Sequence, residues 1–217
     1  MRFVVTAGPT REAIDPVRFI SNRSSGKMGY AIAAAALARK HQVTLISGPA
    51  AIAAPKGAKL VSITTSDELY AAVRRALRDC DVFVMCAAVS DYKPAQVSAL
   101  KMKKRRGAFA LKLVPTRDIL ASLPKRRRYL VAGFAAETHD LARNAQKKLR
   151  AKNCDAIVAN DVSGSEIGME SDENEVTIFF RGGEKQKISR APKKIIAREL
   201  VKIFAKIFEK GLTKKSW

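Results

Sequence analysis

A chain of 217 residues with 47% hydrophobic side chains is long enough to bury a proper core, and no apolar run approaches the roughly 20 residues of a membrane span. Its formal charge of +21 points to polyanionic partners, although aromatics at 6% and basic runs (103–106, 125–128, 193–194) without interleaved stacking residues disfavour a nucleic-acid-binding module. Cys80, Cys86 and Cys154 are scattered with no Cys-x-x-Cys spacing, and His41 and His139 are isolated, which excludes a disulfide framework or a zinc site and suits a reducing cytoplasm.

The first segment, residues 2–7, is short, apolar and β-branched, and reads as a strand rather than a secretory leader. Gly8-Pro9 breaks it and opens a loop to Lys27 that carries Thr10, Arg11, Asp15, Arg18, Ser21, Asn22, Arg23, Ser24 and Ser25. Loops this long between strand and helix are usually functional, and this one has the composition of a cradle for a phosphorylated ligand. An alanine-rich helix runs from Gly26 to about residue 40, followed by strands at 42–47 and 60–64. Ser66 caps a helix to about residue 78 with Glu68 in its first turn, and 81–86 is a continuous apolar strand.

The chain then leaves the strand without entering a helix, through Ala87–Pro94 and a basic stretch at 101–107. The pattern predicts a strand at 109–113, a short helix at 116–123, a buried strand at 129–134 and a helix from Thr138 or His139 to about residue 152. A strand at 155–159 follows, then a polar loop (163–174), strands at 175–180 and 185–189 joined by Arg181-Gly182-Gly183-Glu184, and a last helix at about 192–208.

Strands alternating with helices predict a Rossmann-like, doubly wound, mostly parallel α/β sheet with helices on both faces and a late antiparallel hairpin. The whole chain, 1–217, reads as one domain, with 162–190 as its edge hairpin region. Ligands bind such sheets at the strands' carboxyl ends, so the candidate site loops are 8–27, 87–104 and 133–138. The usual phosphate motifs are missing. Gly8-Pro9-Thr10 is not Gly-x-Gly-x-x-Gly, and Gly26-Lys27 has Ser21 and Met28 where a Walker A loop needs Gly and Ser or Thr.

DPVRFISNRSSGKMGYAIA (15–33) resembles the signature of phosphopantothenoylcysteine synthetase, a coenzyme A biosynthetic ligase of bacterial type. AAVSDYKP (87–94), KMKK (101–104), GFAAET (133–138), KLRAKN (148–153), IVAND (157–161) and Gly168…Ser171-Asp172-x-Asn174 resemble further blocks of that family in order. The resemblance implies a two-step ligation of 4′-phosphopantothenate and L-cysteine. The carboxylate is activated by a nucleoside triphosphate, CTP in bacterial members and ATP in eukaryotic ones, and cysteine's amine then displaces the nucleotide. It further implies Mg²⁺ with the nucleotide and a homodimer using the late hairpin. It implies no FMN for this chain, because no decarboxylase segment precedes the first strand, and a separate decarboxylase acting next.

By the same resemblance, Lys101 closes over the triphosphate as a lid and Asn22 handles the acyl-nucleotide. Both count as catalytic candidates. Asp91 contacts nucleotide hydroxyls or the metal, and Thr116, Arg117, Asp118, Ile119, Phe134, Lys148 and Lys152 line the nucleotide. Arg18, Asn22, Ser24, Ser25 and Gly26 face the acyl substrate, with an ion pair to Asp15 the other reading of Arg18. Two positions depart from the family pattern: Arg117 stands where a proline is usual, and Ile167 where phenylalanine is usual. Intact Asn22, Asp91 and Lys101 argue against a decayed, non-catalytic partner subunit.

Overall fold

The computed structural model describes every residue except Arg105, Thr138, 162–170 and 214–217. In chain order it contains β1 (Arg2–Ala7), a ribbon of β2 (Arg11–Ala13) and β3 (Phe19–Ser21), α1 (Lys27–Ala38), β4 (Gln42–Ser47), β5 (Lys59–Ser62) and α2 (Ser66–Ala76). Then come β6 (Val82–Met85), a second ribbon of β7 (Tyr92–Pro94) and β8 (Leu113–Pro115), β9 (Leu130–Glu137), α3 (Leu141–Ala151), β10 (Ala156–Asp161), β11 (Glu173–Phe180), β12 (Lys185–Pro192) and α4 (Lys193–Thr213).

The main sheet has the order β12-β11-β10-β9-β6-β1-β4-β5. Within it β10, β9, β6, β1, β4 and β5 are parallel, β11 adds antiparallel to β10 and β12 antiparallel to β11, giving the expected doubly wound sheet with an antiparallel edge. Alternation along each strand decides which layer a side chain joins. Phe3 and Val5 pack with Val43, Leu45, Val82 and Val84 beneath α1 and α4. Val4, Ile46, Phe83 and Val131 point the other way, under Leu69 and Val73 of α2 and Ala145 and Leu149 of α3. The small residues of α1 let it lie hard on β1: a Cβ at Gly29 would stand 2.6 Å from Ala7 Cβ. Helix α2 starts with a reciprocal Thr65–Glu68 capping box, and Glu12 Oε1 accepts the Ser66 N–H at 2.8 Å, so the first ribbon is fastened to that helix end.

Several expectations are corrected. The helix expected at 116–123 is one turn, in which Asp118 Oδ1 accepts the Ala121 N–H at 2.9 Å before Pro124 stops it. The strand expected at 109–113 is confined to Leu113–Pro115, because Phe109 stays exposed with no layer to cover it. Residues 133–137 are not a loop but the end of β9, carried on by pairing of Ala135 and Ala136 with Ala159 and Asn160. The late hairpin pairs antiparallel onto β10 as the edge of the main sheet, as expected, and residues 162–170, with Ile167, lie outside the described residues. Large apolar side chains are exposed instead along the two ribbons and the segments beside them, at Phe19, Tyr92, Leu100, Phe109 and Leu113. No helix among the described residues is long and apolar enough to cross a membrane.

Candidate functional site

From β1 the chain steps to β4 and β5 on one side and to β6 on the other, so the switch point lies between β1 and β6. Thr6, fully buried in β1, closes the end of that crevice: its Oγ1 accepts the N–H groups of Cys86 and Ala87, each at 3.1 Å, and donates to Met85 Sδ at 3.3 Å. Beyond the strands the two loops stay joined. The Thr10 N–H donates to Ala88 O at 3.1 Å, the Ala88 N–H to Gly8 O at 3.0 Å, and Thr10 Oγ1 accepts the Ser90 N–H at 3.0 Å. Gly48 presses in from the far side, where a Cβ would stand 1.9 Å from Pro9 O. These backbone bonds place loops 8–26 and 86–91 side by side.

The first loop is held by Asp15, whose carboxylate is 2% exposed as a residue. It accepts the N–H groups of Val17 (2.8 Å), Arg18 (2.9 Å) and Met102 (3.1 Å), and the Arg18 guanidinium at 3.0 Å through Nε and 2.5 Å through Nη2. Arg18 Nη2 also donates to Met102 O at 2.9 Å. The Arg18 bond and these N–H groups outweigh burial and hold the Asp15 carboxyl well below the usual carboxylate range. Of the two readings of Arg18, the ion pair with Asp15 is therefore present. Both backbone groups of Met102 are tied down, which pins the basic segment against the first loop and leaves Lys101 exposed at its anchor. Asn22 is exposed with its backbone O accepting the Ser24 N–H at 2.9 Å, and Ser24, Ser25 and Gly26 form the turn into α1.

A second group forms around residues 116–119. The Thr116 N–H donates to Asp91 O at 2.9 Å and its Oγ1 to Ser90 O at 2.6 Å, so this turn sits against the exposed Asp91. Asp118 pairs with Lys152 through Oδ2, and Lys148 Nζ donates to Phe134 O at 2.6 Å. Burial pushes the Asp118 carboxyl up, but Lys152, the Ala121 N–H and Lys148 together bring it below its ordinary value. Lys147 is exposed, as its place on the helix predicts. Two candidates are placed differently from the rest. The Arg117 guanidinium lies 4.3 Å from the centre of the Tyr70 ring, so the residue standing in for proline braces the turn against α2. Ile119 is a core side chain under that turn.

Sequence reasoning missed Thr6, Glu12 and Lys193, whose roles depend on partners 54 or more residues away for Glu12 and on burial for Lys193. The local signal for Lys193, a Lys-Lys pair, reads as a solvated run. Among the described residues no three His, Cys, Asp or Glu side chains gather as a metal site. Burial pushes the Cys86 thiol up to about 12 despite the opposing Lys193 charge, so it stays protonated near neutrality.

A doubly wound α/β sheet with cationic and hydroxyl-bearing loops collected at its switch point has the architecture that places a ligand in the crevice beyond the strands' carboxyl ends. Residues 1–208 match the model of the DNA/pantothenate metabolism flavoprotein C-terminal domain, and the chain belongs to that family. It is 45% identical over 204 residues to the coenzyme A biosynthesis bifunctional protein CoaBC of Bacillus subtilis, covering 93% of this chain and 50% of that protein. The chain thus spans about half the length of the curated relatives it matches. Among solved structures, the C-terminal domain of a CoaBC protein superposes with a TM-score of 0.82 at 39% identity over 96% of both chains. A Cab2 variant in complex with phosphopantothenate-cysteine shares the fold at a TM-score of 0.81 and 14% identity, covering 100% of this chain and 89% of that one. The resemblance to phosphopantothenoylcysteine synthetases holds.

Proposed function

We propose that the chain is a phosphopantothenate–cysteine ligase that uses CTP in preference to ATP. The observation that carries the ligase reading is the convergence at one crevice of the Asp15-pinned basic segment, the Asp91–Thr116 turn and the Asp118–Lys152–Lys148–Phe134 group, whereas the choice of CTP rests on the bacterial wording of the motifs. In the first step a carboxylate oxygen of 4′-phosphopantothenate attacks the α-phosphorus, and the bond to pyrophosphate breaks. Like charges meet in that step, so cations placed in advance lower its barrier. Lys101 supplies one at the anchored end of the basic segment, and Lys148 of α3 and Lys152, which caps that helix, supply two more. Asn22 holds the acyl-nucleotide carbonyl with an amide that does not titrate. In the second step the cysteine amine nitrogen attacks the acyl carbon, CMP leaves, and the amine's proton passes to solvent.

Asp91 fits a Mg²⁺ ion that travels with the triphosphate: it is an exposed carboxylate that accepts no hydrogen bond from the described residues, and such ions take one or two carboxylates plus phosphate and water. The ion supplies charge neutralisation between the phosphates. We assign the homodimer contact to the exposed apolar side chains of the two ribbons, because the outer strand β12 presents Lys185, Lys187 and Arg190.

Purified protein with phosphopantothenate, cysteine, Mg²⁺ and CTP should release pyrophosphate and CMP. Replacing CTP by ATP in the same assay tests the base preference, and no turnover with either nucleotide overturns the ligase reading.

A further inference from the structure

Helix α2 is the common anchor of three loops of the site. Glu12 of the first ribbon accepts the Ser66 N–H at 2.8 Å, and the Arg11 N–H donates to Thr64 O at 2.7 Å just before the helix. Lys93 of the second ribbon pairs with Asp67. The 116–119 turn makes the third attachment, where the Arg117 guanidinium lies 4.3 Å from the centre of the Tyr70 ring. Tyr70 is itself steadied within α2: its hydroxyl accepts Arg74 Nη1 at 3.1 Å, one helical turn along. That bond from Arg74, with Arg117 adding to it, lowers the Tyr70 phenol below its ordinary pKa despite the opposing effect of burial. The turn bridges α2 and α3. Ile119 and Leu120 pack in the same layer as Leu69 and Val73 of α2 and Ala145 and Leu149 of α3. Arg117 ties the turn to α2, and the next residue, Asp118, ties it to Lys152 at the cap of α3.

Resting on the ligase reading, we propose that Arg117 is a positioning residue for the nucleoside triphosphate: braced on Tyr70, it sets the place of the 116–119 turn and, through Asp118, that of Lys152. The Arg117 guanidinium is turned onto α2, so it acts through the turn and not by contact with the phosphates. An aromatic ring suits this task. It holds a planar guanidinium by its face, and it does so without a negative charge. A carboxylate anchor at the same place would set like charge beside the triphosphate. The brace is also selective for one side of the crevice. The loop that carries Asn22 is clamped separately by Asp15, through the Val17, Arg18 and Met102 N–H groups, and none of these ties runs through Tyr70. Loss of the brace therefore reaches the nucleotide and leaves the acyl substrate alone.

The test measures Michaelis constants for CTP and phosphopantothenate, and the CTP dissociation constant by calorimetry with Mg²⁺. The proteins are wild type, Arg117→Ala, Tyr70→Leu, their double variant and Tyr70→Phe. Arg117→Ala and Tyr70→Leu should each raise both CTP constants about two- to fivefold, the size of an exposed cation–π contact, and leave the phosphopantothenate constant unchanged. The double variant should be no weaker than either single one, since all three remove the same contact. Tyr70→Phe keeps the ring face and should bind CTP as wild type does. The brace is overturned if Arg117→Ala is weakened while Tyr70→Leu is not, the pattern of a direct arginine–phosphate contact. It is equally overturned if the two losses multiply, if Tyr70→Phe is as weak as Tyr70→Leu, or if the phosphopantothenate constant rises in step with that for CTP. If wild type binds CTP without ligating and the non-additive pattern appears in the dissociation constants, the ligase reading falls and the brace stands. If wild type ligates and Tyr70→Leu binds CTP normally, the brace falls alone. If wild type binds neither CTP nor ATP, both fall.

Discussion

Replacing Thr6 by Val tests how the crevice is held at its floor. Thr6 is fully buried, and valine keeps its β-branched shape while removing the hydroxyl that accepts the Cys86 and Ala87 N–H groups at 3.1 Å. Each buried N–H left without an acceptor costs about 1–3 kcal/mol. Cys86 and Ala87 are only half-buried, so water can recover part of that, and the expected loss is about 2–4 kcal/mol. For a chain of 217 residues, where 1 kcal/mol moves the melting temperature by about 2–4 °C, the central value corresponds to a drop of about 6–12 °C. Thr6→Ser is the control, since it keeps the acceptor and loses one buried methyl, about 1 kcal/mol. Urea unfolding and thermal melts of the three proteins measure both. The reasoning is refuted if Thr6→Val lies within about 0.5 kcal/mol of wild type, the range of an ordinary surface change, or if Thr6→Ser is as damaged as Thr6→Val.

Lys101→Gln should cut pyrophosphate release from the first step by about a hundredfold or more while leaving the melting temperature unchanged, because the side chain is exposed. Ligation at the wild-type rate would remove Lys101 from the reaction. The Asp15 clamp gives a pH dependence with a definite sign. Its folded pKa lies below the ordinary 3.8, so its stabilisation is complete above that value and is lost as pH falls below it through the lower folded pKa. Urea midpoints at pH 5 and pH 3 should therefore fall more in wild type than in Asp15→Asn, and equal slopes would contradict the clamp. Phe109→Asp combined with Leu100→Asp should shift the light-scattering mass to that of a monomer, and an unchanged dimer would move the contact away from the ribbons.

The sequence alone determined the elements whose signal is local. The apolar runs that became β1, β4 and β6 and the cap at the start of α2 are written in consecutive side chains, because burial on both faces demands continuous hydrophobicity and a cap needs residues three apart. The order of the motifs also carried the family. Tertiary structure decided what depends on distant partners. The ribbon β2–β3 has no apolar alternation and forms only because Glu12 and Thr10 find Ser66, Ala88 and Ser90. Residues 133–137 became strand rather than loop because β10 is long enough to pair with them. Arg117 found Tyr70, a contact that no window around the Thr-Arg-Asp-Ile turn contains. Lys193 and Lys194 are the sharpest case. The same residue type occurs twice in succession, one buried at the crevice and one in solvent, because a helix turns about 100° per residue and only the packed fold says which direction is inside.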